Sequence, residues 1–225
     1  NSPYMQEATA LAESLGRLNL SLHLSIVPGL GSWQKNTQLK AKIVRDLLTT
    51  FPERRCIYLD ADSLVLRRPE LFWTLPAGID MAAILFAGRI LASGVVMFGP
   101  ASTTRSLELV ERWINICERY PDKLPDGRDA WDQRCLQAAL EMMQSRGRAN
   151  FSPLPQEYNY IQELSEEAYP NLQPIILSTR GALHYQDMMD GKKATPGALA
   201  RKLRAERDGV LHSLRQDMLP SGVQP

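Results

Sequence analysis

The chain has 225 residues, 44% hydrophobic and 23% charged, with 26 basic side chains against 25 acidic ones. That length suits one sizeable hydrophobic core rather than two independent ones. A net charge of +1 gives no basis for a strongly basic nucleic-acid surface or an acidic tail, so no nucleic-acid partner is expected. Cys56, Cys117 and Cys135 are too few and too scattered for a disulfide scaffold, and without a C-x-x-C they do not propose structural zinc. Free thiols in a reducing, cytoplasmic compartment are the economical expectation.

Asn1–Gln6 is polar and shows no signal-peptide pattern. Tyr4–Leu18 places Leu11, Leu15 and Leu18 on one side, with Ala8 and Ala12 beside them, and predicts a helix. Leu20–Val27 alternates loosely as a strand and stops at Pro28-Gly29. Asn36–Thr50 is a second helix by the spacing of Leu39, Ile43 and Leu47, with Val44 and Leu48 next to that face. Cys56–Leu59 is a short apolar run ending in acids, as a buried parallel strand would be. Met81–Gly99 is nineteen largely apolar residues, but Arg89, Gly88 and Gly94 break it. Two core strands joined near Ala87–Arg89 explain it better than a membrane span, and the protein is expected to be soluble. Helices follow over Thr104–Tyr120 and from about Asp129 to Ser145. The alternation predicts an α/β fold with a largely parallel sheet and helices on both faces.

Cys56-Ile57-Tyr58-Leu59-Asp60-Ala61-Asp62-Ser63 carries the most chemical information. Two acids at i and i+2 after a strand put both carboxylates on one side of an extended chain. Ligands of open α/β sheets bind at such carboxyl ends. Paired carboxylates there can hold a hard divalent cation, which can neutralise a diphosphate. The plainer alternative is a turn with solvated acids.

These residues resemble the nucleotide-sugar glycosyltransferases of the GT-A fold, in particular the glycogenin-like and bacterial galactosyltransferase-like group. The resemblance is collinear: Lys40 on a helix, Ile57–Asp62, Pro69–Phe72, Ser93-Gly94-Val95-Val96-Met97, Asp132-Gln133, Leu154-Pro155 through Tyr158-Asn159, and His184-Tyr185. It implies a GT-A-like domain over residues 1–193, followed by a basic helix and tail over 194–225. It also implies transfer of a sugar, a hexose from a UDP-sugar being favoured, from a nucleoside diphosphate donor to a glycan, protein or small-molecule acceptor. Asp60, Asp62 and His184 would hold Mn²⁺ or Mg²⁺, and a nitrogen beside two carboxylates suits Mn²⁺ better than Ca²⁺. Asp132 and Gln133 would be catalytic, while Tyr4, Trp33, Lys40, Ser93, Gly94, Asn159 and Lys192 would contact nucleotide or substrate.

Each position also has a structural alternative. Lys40 fits a solvated helix residue as well as a point charge for a donor phosphate. Trp33 fits a core or rim aromatic as well as a pocket wall. Asp132 lies in a first helical turn, where the dipole favours an acid anyway. Asn159 can satisfy a loop, and His184 a core. Ala92 stands where the family has asparagine, and Gln186–Lys193 only approximates its late lysine segment. The family also has a strand and nucleotide-binding turn immediately before the Tyr4 helix. The resemblance therefore implies a sheet lacking its first strand, open beside Leu20–Val27 or Cys56–Leu59, with an edge prone to pair or aggregate.

Lys192–Arg215 carries seven Lys/Arg against Glu206 and Asp208 and is a plausible amphipathic basic helix. It could pack on the body or make weak contact with an anionic membrane surface. Two rival functions remain open at this level. One is a sugar-nucleotide-binding protein without turnover. The other is a haloacid dehalogenase-type phosphatase, which also ends a strand in Asp-x-Asp but wants Thr or Val where Leu64 stands.

Overall fold

The computed structural model describes residues 3–86, 88–161 and 172–178. These residues fall into two compact units. One is Leu22–Asp60 with Pro69–Asn159, and the other gathers Asn1–Ser21, Ala61–Arg68 and Tyr160–Pro225, as far as those are described. The basic helix and tail expected over 194–225 lie outside the described residues.

The larger unit holds helix α2 (Trp33–Thr50), strand β1 (Cys56–Leu59), a one-turn helix α3 (Leu71–Thr74), strands β3 (Met81–Phe86) and β4 (Ile90–Phe98), helices α4 (Ser106–Arg119) and α5 (Asp132–Gln144), and strand β5 (Phe151–Pro153). A 3-10 turn over Gln156–Asn159 closes it. The α1 helix (Pro3–Arg17) and strands β2 (Ser63–Val65), β6 (Tyr160–Ile161) and β7 (Ile176–Ser178) belong to the other unit. There α1 packs on β2, with the Ser14 hydroxyl accepting the Val65 amide at 3.1 Å, and the sheet order is β2-β7-β6.

The larger sheet has the order β1-β4-β3-β5. Its pairings correct the expectation of a largely parallel sheet: β1–β4 and β3–β4 are antiparallel, and only β3–β5 is parallel. The reason is local. Gly88 and Arg89 turn the chain between β3 and β4, with Gly88 at φ 69, and so short a connection can only make a hairpin. Parallel neighbours need a crossover of a dozen or more residues.

Leu20–Val27 is not a strand. The chain runs without regular structure from Leu20 to Leu30, and Leu22, Leu24, Ile26 and Val27 are exposed. Alternation alone cannot make a strand when no neighbour supplies the hydrogen bonds. Among the described residues β1 is an edge strand, paired only with β4.

The core of the larger unit is a layer of helix side chains against β3 and β4. Along α2 the buried stripe is Ala41, Val44 and Leu48, one step round from the expected Leu39, Ile43 and Leu47, which are half-buried. Val44 and Leu48 each contribute about 1.5–3 kcal/mol by leaving water. Lys40 adjoins that stripe and is carried into the interior with it. From α4, Leu109, Val110 and Trp113 pack inward, and the Trp113 ring stacks on Phe98 with centroids 6.4 Å apart. The buried Asp80 carboxylate accepts the backbone N–H groups of Arg105 and Asn150, which fixes where α4 and β5 begin relative to β3. Arg55 donates to the carbonyls of Phe72, Leu75 and Pro76, satisfying the end of α3. No described helix is long and apolar enough to cross a membrane.

Candidate active site

Asp60 follows β1 directly, and its backbone N–H donates to the Gly94 carbonyl at 2.8 Å, continuing the β1–β4 ladder by one residue. The ladder thus places Asp60 beside Gly94, with Ser93 next in β4. Asp132 is the first residue of α5, where its charge is favoured by the helix dipole by about 0.3–1 kcal/mol. The Trp113 indole N–H donates to the Asp132 carbonyl at 2.9 Å and pins that helix start to α4. Gln38 donates to the Ala130 carbonyl at 2.7 Å, tying the same segment to α2.

Lys40 joins the parts. Its ammonium lies 2.8 Å from Asp60 Oδ1 and 3.0 Å from Asp132 Oδ2. The Tyr58 hydroxyl donates to Asp60 Oδ1 at 2.9 Å, and the Ser93 hydroxyl donates to Asp132 Oδ2 at 2.8 Å. The ammonium also stands 5.4 Å from the centre of the Tyr58 ring, within reach of a cation–π attraction. Burial by itself would depress the lysine, but Asp132 and Asp60 together outweigh it and hold Lys40 well above its ordinary value. Burial, reinforced by the Asp60 charge, likewise pushes the Tyr58 phenol well above its ordinary value. At neutral pH Lys40 is therefore a fixed cation and Tyr58 a neutral donor.

Two consequences follow for chemistry. Two carboxylates and one ammonium leave the cluster one net negative charge. The bonds to each carboxylate fall on a single oxygen, Oδ1 of Asp60 and Oδ2 of Asp132, so each keeps the other oxygen for a ligand. Asp60 Oδ2 is a hard oxygen of the type that Mg²⁺ and Mn²⁺ take, and on this donor chemistry it fits a divalent cation. Among the described residues, no group of three or more His, Cys, Asp or Glu stands together as a metal site.

The larger unit thus brings together five expected residues: Lys40, Asp60, Ser93, Gly94 and Asp132. Asn159 is buried near Gly94. Gln133 follows Asp132 in α5 and is half-buried. Trp33 opens α2 and Tyr4 lies in α1, but their side chains lie outside what is described, as do His184 and Lys192 altogether. Asp62 belongs to the other unit, half-buried in the turn before β2.

Three participants had not been anticipated. Tyr58 was legible, because it precedes Asp60 by two along a strand and so shares its side of the chain. Trp113 looked like an ordinary core residue of a helix, and Gln38 like a surface one. Neither carries a sequence signal for contact with the segment before α5.

No family model matches the chain, and no curated protein matches it. Among solved structures it is similar to a glycosyltransferase involved in the glycosylation of the major capsid of PBCV-1. The TM-score is 0.61 at 13% identity, over 93% of this chain and 92% of that one. It also matches mouse xyloside xylosyltransferase 1 in its apo form, at TM-score 0.42 and 12% identity, over 79% of this chain and 92% of that one. A further match is the glycosyltransferase GlyE of Streptococcus pneumoniae TIGR4, at TM-score 0.46 and 15% identity, over 100% of this chain and 56% of that one. The first of these gives the chain the fold of a glycosyltransferase, so the resemblance seen in the sequence holds at the level of fold.

Proposed function

We propose that the protein is a glycosyltransferase that moves a sugar, a hexose from a UDP-sugar being favoured, from a nucleoside diphosphate donor to an acceptor hydroxyl. The observation that carries this is the Lys40 ammonium bridging Asp60 and Asp132 at the end of β1, with one oxygen of each carboxylate unengaged. A glycosyltransferase-like fold supports it.

In such a transfer the bond from the anomeric carbon to the diphosphate oxygen breaks, its electron pair leaves with the diphosphate, and a new bond forms to the acceptor oxygen. The anomeric carbon gains positive character as this happens. Asp132 is preorganised to face it: Lys40 and Ser93 hold Oδ2, Trp113 holds the backbone, and Oδ1 is left for a sugar hydroxyl or the developing cation. Lys40 keeps its proton and so acts as fixed charge rather than as a base. Asp60, with Asp62 and His184 as further ligands, would hold Mn²⁺ or Mg²⁺. When bound, such a cation supplies Lewis-acid charge for the departing diphosphate.

Donor hydrolysis and transfer, followed by release of UDP, test the proposal. Asp132→Asn should lower turnover at least tenfold while changing UDP affinity little, since its contact is with the sugar. Equal loss of affinity for UDP and for the UDP-sugar would reject that role. Asp60→Asn with Asp62→Asn should abolish the Mn²⁺-dependent part of donor binding while leaving the melting profile cooperative. His184→Ala should weaken Mn²⁺ affinity with little change in the melting temperature of the metal-free protein. A sugar-nucleotide-binding protein without turnover would bind the donor and release no UDP. The phosphatase alternative finds no support in an edge strand paired antiparallel within a glycosyltransferase-like fold.

A further inference from the structure

Asp60 and Asp132 are held in the same way. Each gives one oxygen both to the shared Lys40 ammonium and to a hydroxyl of its own. For Asp60 that oxygen is Oδ1 and the hydroxyl is Tyr58; for Asp132 it is Oδ2 and Ser93. The two hydroxyls therefore stand at opposite ends of one bridge. Ser93 serves the acid assigned to the sugar, and Tyr58 the acid assigned to the cation.

The Tyr58 end is firmly mounted. Tyr58 pairs with Val96 in the β1–β4 ladder, and its ring packs against the core of the larger unit. A tyrosine side chain has two torsions, so packing the ring fixes where its hydroxyl lies. Asp60 follows two residues later on the same side of the chain, within reach of that hydroxyl at 2.9 Å.

A carboxylate oxygen offers two lone-pair directions. At Asp60 Oδ1 both are taken, by Lys40 at 2.8 Å and Tyr58 at 2.9 Å. Two donors on one oxygen fix the plane of the carboxylate, whereas a single donor lets it turn about its bond to Cβ. Lys40 is a poor constraint by itself, because its ammonium is shared with Asp132 at 3.0 Å. The second donor is Tyr58. The oxygen left over, Oδ2, lies toward Gly94, which has no side chain to cover it; a Cβ there would stand 3.2 Å away.

We propose that Tyr58 is a positioning residue whose hydroxyl fixes the plane of the Asp60 carboxylate and so presents Oδ2 to a divalent cation. This rests on the reading of Asp60 as a cation ligand in a sugar-nucleotide transferase. Tyr58 acts through Asp60, not by contact with the cation or the donor. Partners that orient a ligating side chain in this way carry about 10–100-fold in metal affinity. The plainer alternative is that Asp60 only satisfies a packed phenol.

Tyr58→Phe separates the two. It removes the hydroxyl but keeps the ring, its packing on the core and the 5.4 Å approach of the Lys40 ammonium. Mn²⁺ alone is titrated into wild type, Tyr58→Phe and Ser93→Ala, with the free ion followed by electron paramagnetic resonance. UDP affinity is then measured by calorimetry without metal, at limiting Mn²⁺ and at saturating Mn²⁺. Tyr58→Phe should bind Mn²⁺ roughly tenfold more weakly or worse. Its metal-free melting temperature should fall by no more than about 2–4 °C, the cost of one hydrogen bond in a chain of this size. Its UDP affinity should match the wild type without metal, fall at limiting Mn²⁺ and return at saturating Mn²⁺. Ser93→Ala should bind Mn²⁺ as the wild type does.

A Tyr58→Phe protein with wild-type Mn²⁺ affinity, whatever its melting temperature, refutes the positioning role. An equal loss of Mn²⁺ affinity in Ser93→Ala refutes it too, since the effect would then be a general loosening of the Lys40 bridge. So does a UDP affinity that stays low at saturating Mn²⁺, which would place the damage in nucleotide binding. A wild type that binds UDP but no Mn²⁺ overturns instead the reading of Asp60 as a cation ligand.

Discussion

Replacing Lys40 by methionine keeps the length of the side chain and removes the one charge among the described residues that neutralises Asp60 and Asp132 together. The side chains of Lys40, Asp132 and Asp60 are 13%, 5% and 31% exposed. Breaking a buried ion pair from one side costs about 3–5 kcal/mol. The Asp132 half belongs at the lower end, about 3 kcal/mol, because Ser93 still donates to it. The Asp60 half, a third open to solvent, adds at most about 1 kcal/mol. A loss of about 3–4 kcal/mol corresponds to a fall of roughly 6–16 °C in melting temperature for a chain of this size. The pH dependence separates this cause from simple loss of packing. In the wild type Lys40 titrates well above 10.5, so its contribution is fully present at lower pH and is lost only as pH rises through that high value. Between pH 5 and pH 8 the wild-type contribution is therefore constant. The variant lacks that cation at every pH, so its deficit should hold from pH 5 to pH 8 and shrink only as pH rises through the high Lys40 value. Scanning calorimetry at both values, with Lys40→Met alone and combined with Asp132→Asn, measures this. The double variant should recover at least half the loss at pH 8. A deficit under about 1 kcal/mol at pH 8 would refute Lys40 as the counter-ion of two buried carboxylates.

Ser93→Ala removes the hydroxyl that donates to Asp132 Oδ2 and should cost about 1 kcal/mol in urea unfolding, with turnover falling more than donor affinity. A donor-affinity loss as large as the turnover loss would contradict its role in orienting Asp132. Gly99→Ala would place a methyl group 2.2 Å from the Ile79 carbonyl and 2.7 Å from Thr104 Cγ2, so it should destabilise by at least ~2 kcal/mol. Wild-type stability for that variant would mean the β4–α4 connection is looser than described. Leu24→Lys with Ile26→Lys places two charges on an exposed, unpaired apolar segment. It should lower concentration-dependent light scattering without moving the melting temperature. Unchanged scattering would clear that segment as a cause of self-association.

The elements most legible in the sequence were those whose own residues supply the decisive interaction. Cys56–Leu59 is a strand to the residue, although half-buried and antiparallel where a buried parallel one was expected, and Met81–Phe86 and Ile90–Phe98 turn at Gly88 and Arg89 as the broken apolar run suggested. Helix α2 was also legible, although it starts earlier, at Trp33, because Ser32 caps it by accepting the Lys35 amide at 3.2 Å. Leu20–Val27 failed because a strand needs a neighbour, and periodicity carries no information about whether one exists. The parallel sheet failed for a related reason: alternating elements suggested crossovers, while the short β3–β4 turn had already required a hairpin. At the site, spacing alone could link only Tyr58, Asp60 and Asp62. Lys40, Ser93 and Asp132 lie far from them along the chain and came together on paper only through the resemblance. The Lys40 bridge depends on how far α2 sinks its Ala41–Val44–Leu48 stripe, which no local pattern states.

Trp113 gives the protein a built-in optical probe. Its indole is buried against Phe98 and wired by one hydrogen bond to the carbonyl of Asp132, whereas Trp73 is half open to solvent. The two should therefore differ in emission wavelength and in access to a quencher such as iodide. Whatever binds at Asp132 and shifts the start of α5 alters the field on the shielded indole, so in a variant that keeps Trp113 alone of the four tryptophans, occupancy of the site becomes readable as a change in blue-edge, quencher-resistant fluorescence.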